Sequence, residues 1–385
     1  MAQAAPPPAT APELPRGTVI ERVEVSAQPR YSYALYLPSG YRPDRPWPIL
    51  YAFDARSHGK LVAERFRAGA EKYGWIVASS NDSLSDIPMA PGLEIMRAMW
   101  TDTHARFAID DMRVYAAGFS GTVRLACTLG LTAPGTIAGV IGASAGFPTD
   151  RPPTKDVPFA FFGTVGDWDF NYYEMLELEE TMTRLGLPHR IETFEGGHIW
   201  PPEALATQAI GWMELQAMKA GKLLKSPEVI EALWAEDLQR ARGQEAAGKV
   251  LEAQHTWSAM AASYAGLRDI AEAARKAAEL SASEAFKKNV EARAARNRRD
   301  VEYLEQAPQI LARSNPVNAV EGPVTVKQVA AELKIPELKA RAKSADPDER
   351  LSAQRLLSLT LIQTAYYLPR MFTERGEHDR ALFML

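Results

Sequence analysis

The feature that most restricts this chain is an alternation running from about residue 17 to residue 221. Short, continuously apolar runs, "WPILYAF", "WIVASS", "MRVYAAGF", "IAGVIGAS" and "VPFAFFGTV", are separated by segments whose apolar positions recur every three or four residues. A run without polar alternates suits a strand buried on both faces, and the intervening spacing suits helices. Strands alternating with helices predict an α/β domain with a mostly parallel sheet flanked by helices. Two earlier runs, "TVIERVEV" and "YSYALYLP", read as antiparallel edge strands. "PHRIETFE" is the last expected strand, and "PEALATQAIGWMELQAMK" is the helix that closes this part. Ligands of such sheets gather beyond the carboxyl ends of the strands, so the chemistry is expected on the turns that follow them.

The turn after "MRVYAAGF" reads Gly-Phe-Ser-Gly and leads into the helical segment "SGTVRLACTLGL". It places Ser120 on a tight strand-to-helix corner between Gly118 and Gly121, the arrangement of a nucleophile elbow. The corner is strained and the two elements nearly collide, so small neighbours are needed. The N–H of Gly121 lies at a helix N-terminus and is placed to stabilise the oxyanion of a tetrahedral intermediate. Thr122 stands where a second glycine completes the usual Gly-x-Ser-x-Gly pattern. A β-branched residue there is expected to widen the elbow slightly; if that displaces the helix, the oxyanion donor moves with it, which bears on catalytic efficiency more than on mechanism. Cys127, the only cysteine, reads as a small core residue.

Elbow chemistry requires serine, then an acid, then a histidine. The turn after "VPFAFFGTV" is "GDWDFN", where a Gly-x-x-Asp arrangement selects Asp169 as the acid and leaves Asp167 as the alternative. The last strand ends in "GGHIWPP", which sets His198 on a loop behind two glycines as the base. A second oxyanion donor is expected from "DARSHG", with the N–H of Ala55 preferred over that of Arg56 and Asp54 ordering the loop. His58 reads as an entrance residue or a solvated one. Trp168 and Trp200 flank the acid and the base and are candidates for an apolar substrate wall, unless one of them packs beneath its loop. Phe119 and Arg56 are further candidate substrate contacts. Only 48 residues separate Ser120 from Asp169, too few for a large lid, so an open site is expected.

The segments "GFSGTVRLA", "GTVGDWDFNYYEM" and "EGGHIWPP" resemble the bacterial esterase group that contains feruloyl esterases and polyhydroxybutyrate depolymerases, including a Trp-Pro pair, Trp200 and Pro201, after the histidine. The resemblance covers roughly residues 20 to 220 and implies an α/β-hydrolase fold. It also implies Ser120 as nucleophile, His198 as general base and acid, and Asp169 as the group that orients the imidazole. The expected reaction is carboxylester hydrolysis through an acyl-enzyme, on bulky or polymer-linked esters such as feruloyl or acetyl polysaccharide esters or a polyester. A peptidase of the prolyl-oligopeptidase type fits less well, because no propeller-like segment precedes this part. The alternative of another class is a non-catalytic scaffold with a degenerate hydrolase part.

From residue 226 to residue 385 the texture changes to Ala, Glu, Lys, Arg and Leu, and a helical domain is expected. A Gly followed five residues later by Ala recurs at Gly248 and Ala253, Gly266 and Ala271, and Gly376 and Ala381. This resembles the corner of tetratricopeptide repeats, although no 34-residue period appears. Such a tail could hold a protein partner. Residues 1–16, rich in Ala and Pro, read as a disordered leader, and an extracytoplasmic setting is expected although this stretch lacks the basic and apolar regions of a signal peptide. A net charge of −4 gives no case for nucleic acid, and no apolar run approaches the length of a membrane span. No phosphate loop, dinucleotide fingerprint or metal-ligand spacing is evident, and no cofactor is expected.

Overall fold

The computed structural model describes residues 14–314 and 324–385, so most of the expected leader and most of the loop before residue 326 lie outside the described residues. Eight strands form one sheet: β1 (Val19–Glu24), β2 (Ser32–Tyr36), β3 (Trp47–Phe53), β4 (Ile76–Ser80), β5 (Ile109–Phe119), β6 (Gly139–Ala143), β7 (Ala160–Gly166) and β8 (His189–Phe194). Their order is β1-β2-β4-β3-β5-β6-β7-β8. β2 runs antiparallel to both its neighbours, and all the remaining pairs are parallel. Only one of the two expected edge strands is an edge. β1 ends the sheet, whereas β2 lies between β1 and β4 with all five residues buried, which accounts for its unbroken apolar and aromatic content.

The apolar runs are continuous because both faces are covered. Along β3, Ile49, Tyr51 and Phe53 enter one core with residues of α2 (Met89–Arg106), α3 (Gly121–Thr132) and α4 (Tyr172–Leu185). The alternate residues Leu50 and Ala52 enter a second core with α1 (Gly59–Tyr73) and α5 (Glu203–Lys219). Successive strand residues point to opposite faces, so each must be apolar. This is an α/β-hydrolase sheet with its helices, followed by a helical portion.

That portion contains α6 (Pro227–Ala246), α7 (Val250–Tyr264), α8 (Ala271–Ala282), α9 (Glu284–Arg313), α10 (Val326–Glu332), α11 (Ile335–Arg341) and α12 (Pro347–Ile362). A single π-helical turn, Gln363–Tyr367, joins α12 to α13 (Leu368–Glu374), and α14 (His378–Met384) follows. Gly248, Gly266 and Gly376 sit at helix corners with φ of 69°, 78° and 75°, where a side chain would be strained. The first four helices after α5 have 20, 15, 12 and 30 residues, so their lengths form no repeating pair. Among the described residues no helix is long and apolar enough to cross a membrane.

The first tail helices are fixed to the sheet by a closed polar cluster. Arg190 of β8 donates to both carboxylate oxygens of Asp237 on α6, at 2.9 and 2.8 Å, and its Nε donates to Glu192 at 2.7 Å. The Tyr264 hydroxyl donates to Asp237 at 3.0 Å, and the Trp212 indole of α5 donates to Ser263 of α7 at 2.9 Å.

Candidate active site

Ser120 joins β5 to α3 with φ 55° and ψ −132°, a conformation costly for any residue with a side chain. The surrounding packing explains why it persists. A Cβ on Gly118 would stand 2.5 Å from the backbone of Thr122 and Val123, and one on Gly121 would stand 2.8 Å from the Ser85 side chain. Glycine at both places lets the helix and the loop after β4 close onto the serine.

Thr122 is bonded into the elbow through its hydroxyl. It is buried, and its hydroxyl accepts the Phe119 N–H at 2.9 Å while lying 2.8 Å from the Phe119 carbonyl oxygen and 2.6 Å from that of Phe53. The single hydroxyl proton is best directed to that nearer oxygen. The β-branched side chain therefore ties the elbow to the end of β3, a contact that sequence reasoning missed.

Three side chains from separate turns converge beyond the carboxyl ends of the strands. His198, on the loop after β8, has Nε2 2.9 Å from the Ser120 hydroxyl oxygen. Its Nδ1 is 2.9 and 3.1 Å from the two carboxylate oxygens of Asp169, on the loop after β7. A carboxylate only accepts, so Nδ1 carries the proton and Nε2 is left to accept from the serine hydroxyl. Asp169 is fully buried and also accepts the Asn171 N–H at 2.8 Å. The imidazole lies between two aromatic rings, Phe170 at 4.1 Å and Phe119 at 4.7 Å between centroids. Phe119 therefore packs on His198, and Phe170 is a contact that sequence reasoning missed.

Asp167 holds the neighbouring loop instead. Its carboxylate accepts the Gly196 N–H at 3.0 Å, and the Trp168 N–H donates to the Gly196 carbonyl at 3.1 Å. Burial pushes the Asp167 carboxyl up, against the opposing pull of that N–H and of the Arg355 charge. Gly166 is pressed against this same loop, where an added Cβ would meet the Gly196 and Gly197 carbonyls at 2.2 and 2.3 Å.

The loop after β3 is ordered by Asp54, which accepts the N–H groups of Arg56 at 2.8 Å and His58 at 3.1 Å and the Trp200 indole at 2.8 Å. The Arg56 N–H is thereby occupied, while the N–H groups of Ala55 and Gly121 have no partner among the described residues. Ser85 touches both of these positions, since its N–H donates to the Ala55 carbonyl at 3.0 Å and its side chain packs on Gly121.

The tryptophans part company. Trp200 is only 5% exposed, bonded to Asp54 and packed against Phe66 and Phe119, so it supports the loop and lines no substrate wall. Trp168 is 39% exposed and lies over Gly197, beside His198. Arg56 and His58 are exposed on their loop. Cys127 is buried in α3, where desolvation pushes its thiol up and keeps it unreactive. A cleft of about 740 Å³ lies at the amino ends of β6 to β8, lined by residues such as Phe159, Pro188 and Trp212, and holds none of the convergent side chains.

No family model and no curated protein matches the sequence. Solved structures with a likeness include a ferulic acid esterase, at 18% identity over 51% of this chain and 97% of that one, with a TM-score of 0.40. An S-formylglutathione hydrolase from Staphylococcus aureus matches at 17% identity over 48% of this chain and 90% of that one, with a TM-score of 0.37. An esterase from Pyrobaculum calidifontis matches at 12% identity over 53% and 87%, with a TM-score of 0.42. At such identities and scores activity must be read from the site itself.

Proposed function

We propose that this chain is a serine carboxylester hydrolase working through an acyl-enzyme. The observation that carries the reading is the pair of contacts made by one imidazole, Nε2 on Ser120 and Nδ1 on Asp169. In this reading the Ser120 oxygen bonds to the ester carbonyl carbon while His198 Nε2 takes the hydroxyl proton. The tetrahedral oxyanion is stabilised by the unpartnered N–H groups of Gly121 and Ala55. The C–O bond to the alcohol then breaks, and His198 returns the proton to the leaving oxygen. Water activated by the same nitrogen releases the acid and restores the serine.

Bulky apolar or polymer-linked esters are the proposed substrates. Support comes from exposed large apolar side chains on the loops around Ser120: Leu84 and Ile87 after β4, Trp168 after β7 and Ile199 after β8. A surface of this kind suits an extended aryl or acyl chain better than a small polar ester. The test is a fluorophosphonate probe on the intact chain, followed by p-nitrophenyl esters of increasing acyl length beside methyl ferulate. Labelling of wild type that disappears in Ser120→Ala is expected, with kcat/KM rising with acyl or aryl size. A folded wild type that takes no label and cleaves none of these esters would return the chain to the scaffold reading.

A further inference from the structure

The tail reaches the surroundings of the site at two places, one on the loop that carries Asp169 and one on the loop that packs behind Gly121 and Ala55. On the first, Arg355 of α12 donates from Nε to the Asp167 carbonyl at 2.6 Å, and its guanidinium lies 3.7 Å from the centre of the Tyr172 ring. Asp167 in turn holds Gly196, two residues before His198, and is itself two residues before Asp169. On the second, the Tyr366 hydroxyl donates to the Asp86 carboxylate at 3.2 Å, and Arg370 donates to the Asp86 carbonyl at 3.0 Å. Asp86 has φ 56° without being glycine, and it adjoins Ser85, the residue that touches both Ala55 and Gly121. A strained backbone persists only where its surroundings over-determine it, and here much of the determination comes from the tail. The π-helical turn Gln363–Tyr367 carries Tyr366 and falls at this contact, a position where such turns often serve function.

Resting on the hydrolase reading, we propose that the C-terminal helices are part of the active site: Arg355 is a positioning residue for the Asp169–His198 pair, and Tyr366 with Arg370 positions the loop behind the oxyanion donors. The interval between Ser120 and Asp169 has no room for a lid, and the tail supplies the missing support from outside it. Neither clamp touches the reacting atoms. Both act by fixing loop geometry, where a misplacement of about 1 Å can cost on the order of a hundredfold in rate.

The experiment compares full-length wild type, Arg355→Ala, Arg355→Lys and the double variant Tyr366→Phe with Arg370→Ala. The readouts are kcat and KM on p-nitrophenyl acetate, thermal midpoint, and the low-field proton NMR signal of His198 Nδ1–H. Arg355→Ala is expected to lose about ten- to a hundredfold in kcat with KM within about twofold, and to broaden or lose the low-field signal. Arg355→Lys, which keeps a cationic donor, should recover part of both. The double variant is expected to lose about tenfold in kcat while keeping the signal, because it loosens only the oxyanion side. Folded variants with wild-type kcat and an intact signal would overturn the proposal and leave the tail as packing alone. Should Arg355→Ala fail to fold, Arg355→Gln is read by the same criteria. The signal does not depend on turnover, so an inactive, unlabelled wild type would sink the hydrolase reading while the Arg355 clamp is still decided by NMR.

Discussion

Asp169 and Asp237 are both buried carboxylates held against a nitrogen base, one at the carboxyl end of the sheet and one where the tail meets β8. Asp169 faces His198, whose second ring nitrogen is left for Ser120 and whose side chain is 18% exposed. Asp237 faces Arg190, which donates its Nε–H to Glu192 and is 2% exposed. The first pair is open at one corner, so a proton can pass through it to a reacting group. In the second, both Asp237 oxygens accept from Arg190 and take further bonds from Arg240 and Tyr264, so the carboxylate is spent on structure. Burial of a charged pair does not itself mark a reactive site; a member with one unspent, accessible valence does.

The difference is sharpest on substitution. Asp169→Asn keeps the shape of its loop but can present an N–H to Nδ1, which disfavours the tautomer that leaves Nε2 free to accept. A loss in kcat of about ten-thousandfold is expected, with the thermal midpoint changed by little. Steady-state kinetics beside calorimetry would check it, and a variant retaining more than a tenth of wild-type kcat would show that Asp169 does not orient the base.

Asp237→Ala should do the reverse. It leaves the Arg190 guanidinium buried without its main partner, a defect that costs about 3–5 kcal/mol in stability. Once corrected for the folded fraction, kcat should be near wild type. The same cluster makes a pH prediction. Burial alone would raise the Asp237 and Glu192 carboxyls, but the charges of Arg190 and Arg240 outweigh it and both are lowered from their ordinary values of 3.8 and 4.5. A lowered folded value means that the stabilisation is fully present above the unfolded value and is lost as pH falls through the folded one. Wild type should therefore lose stability steeply below about pH 4, and Asp237→Ala should show a shallower slope there. Equal slopes in urea titrations across that range would contradict the assignment.

The open cluster was legible in the sequence and the closed one was not, for a physical reason. Ser120, Asp169 and His198 each follow a strand, and strand-end turns announce themselves through glycines and through apolar runs that stop abruptly. The boundary of β3 could be read to the residue because both its faces are covered. Arg190 and Glu192, by contrast, alternate with apolar residues in "HRIETF", which is equally the pattern of a strand with one wet face. Only the tail, packed against that face, turns them into a buried pair. Trp168 and Trp200 show the same limit, since flanking the acid and the base in sequence does not say which indole finds a buried acceptor. Nor could Arg355, Tyr366 and Arg370 be found, because they reach the site from nearly 200 residues or more along the chain, and their helices carry no local mark of it.

The smallest expected effect concerns the residue that looked most out of place. Thr122 carries a hydroxyl bonded to the Phe119 N–H and to the Phe53 carbonyl, so it joins β5 to β3, the strand that leads into the Ala55 loop. Thr122→Val keeps the shape but leaves those buried groups without that partner, at a cost of about 1–3 kcal/mol in stability. A severalfold drop in kcat should accompany it, because the elbow and the oxyanion loop lose a direct link. Thr122→Ser, which keeps the hydroxyl, should stay near wild type. Thr122→Gly restores the more usual pattern and so decides between the two accounts. If bulk at this position strained the elbow, the glycine variant would be faster than wild type. If the hydroxyl is what counts, it will be slower and less stable, like the valine variant.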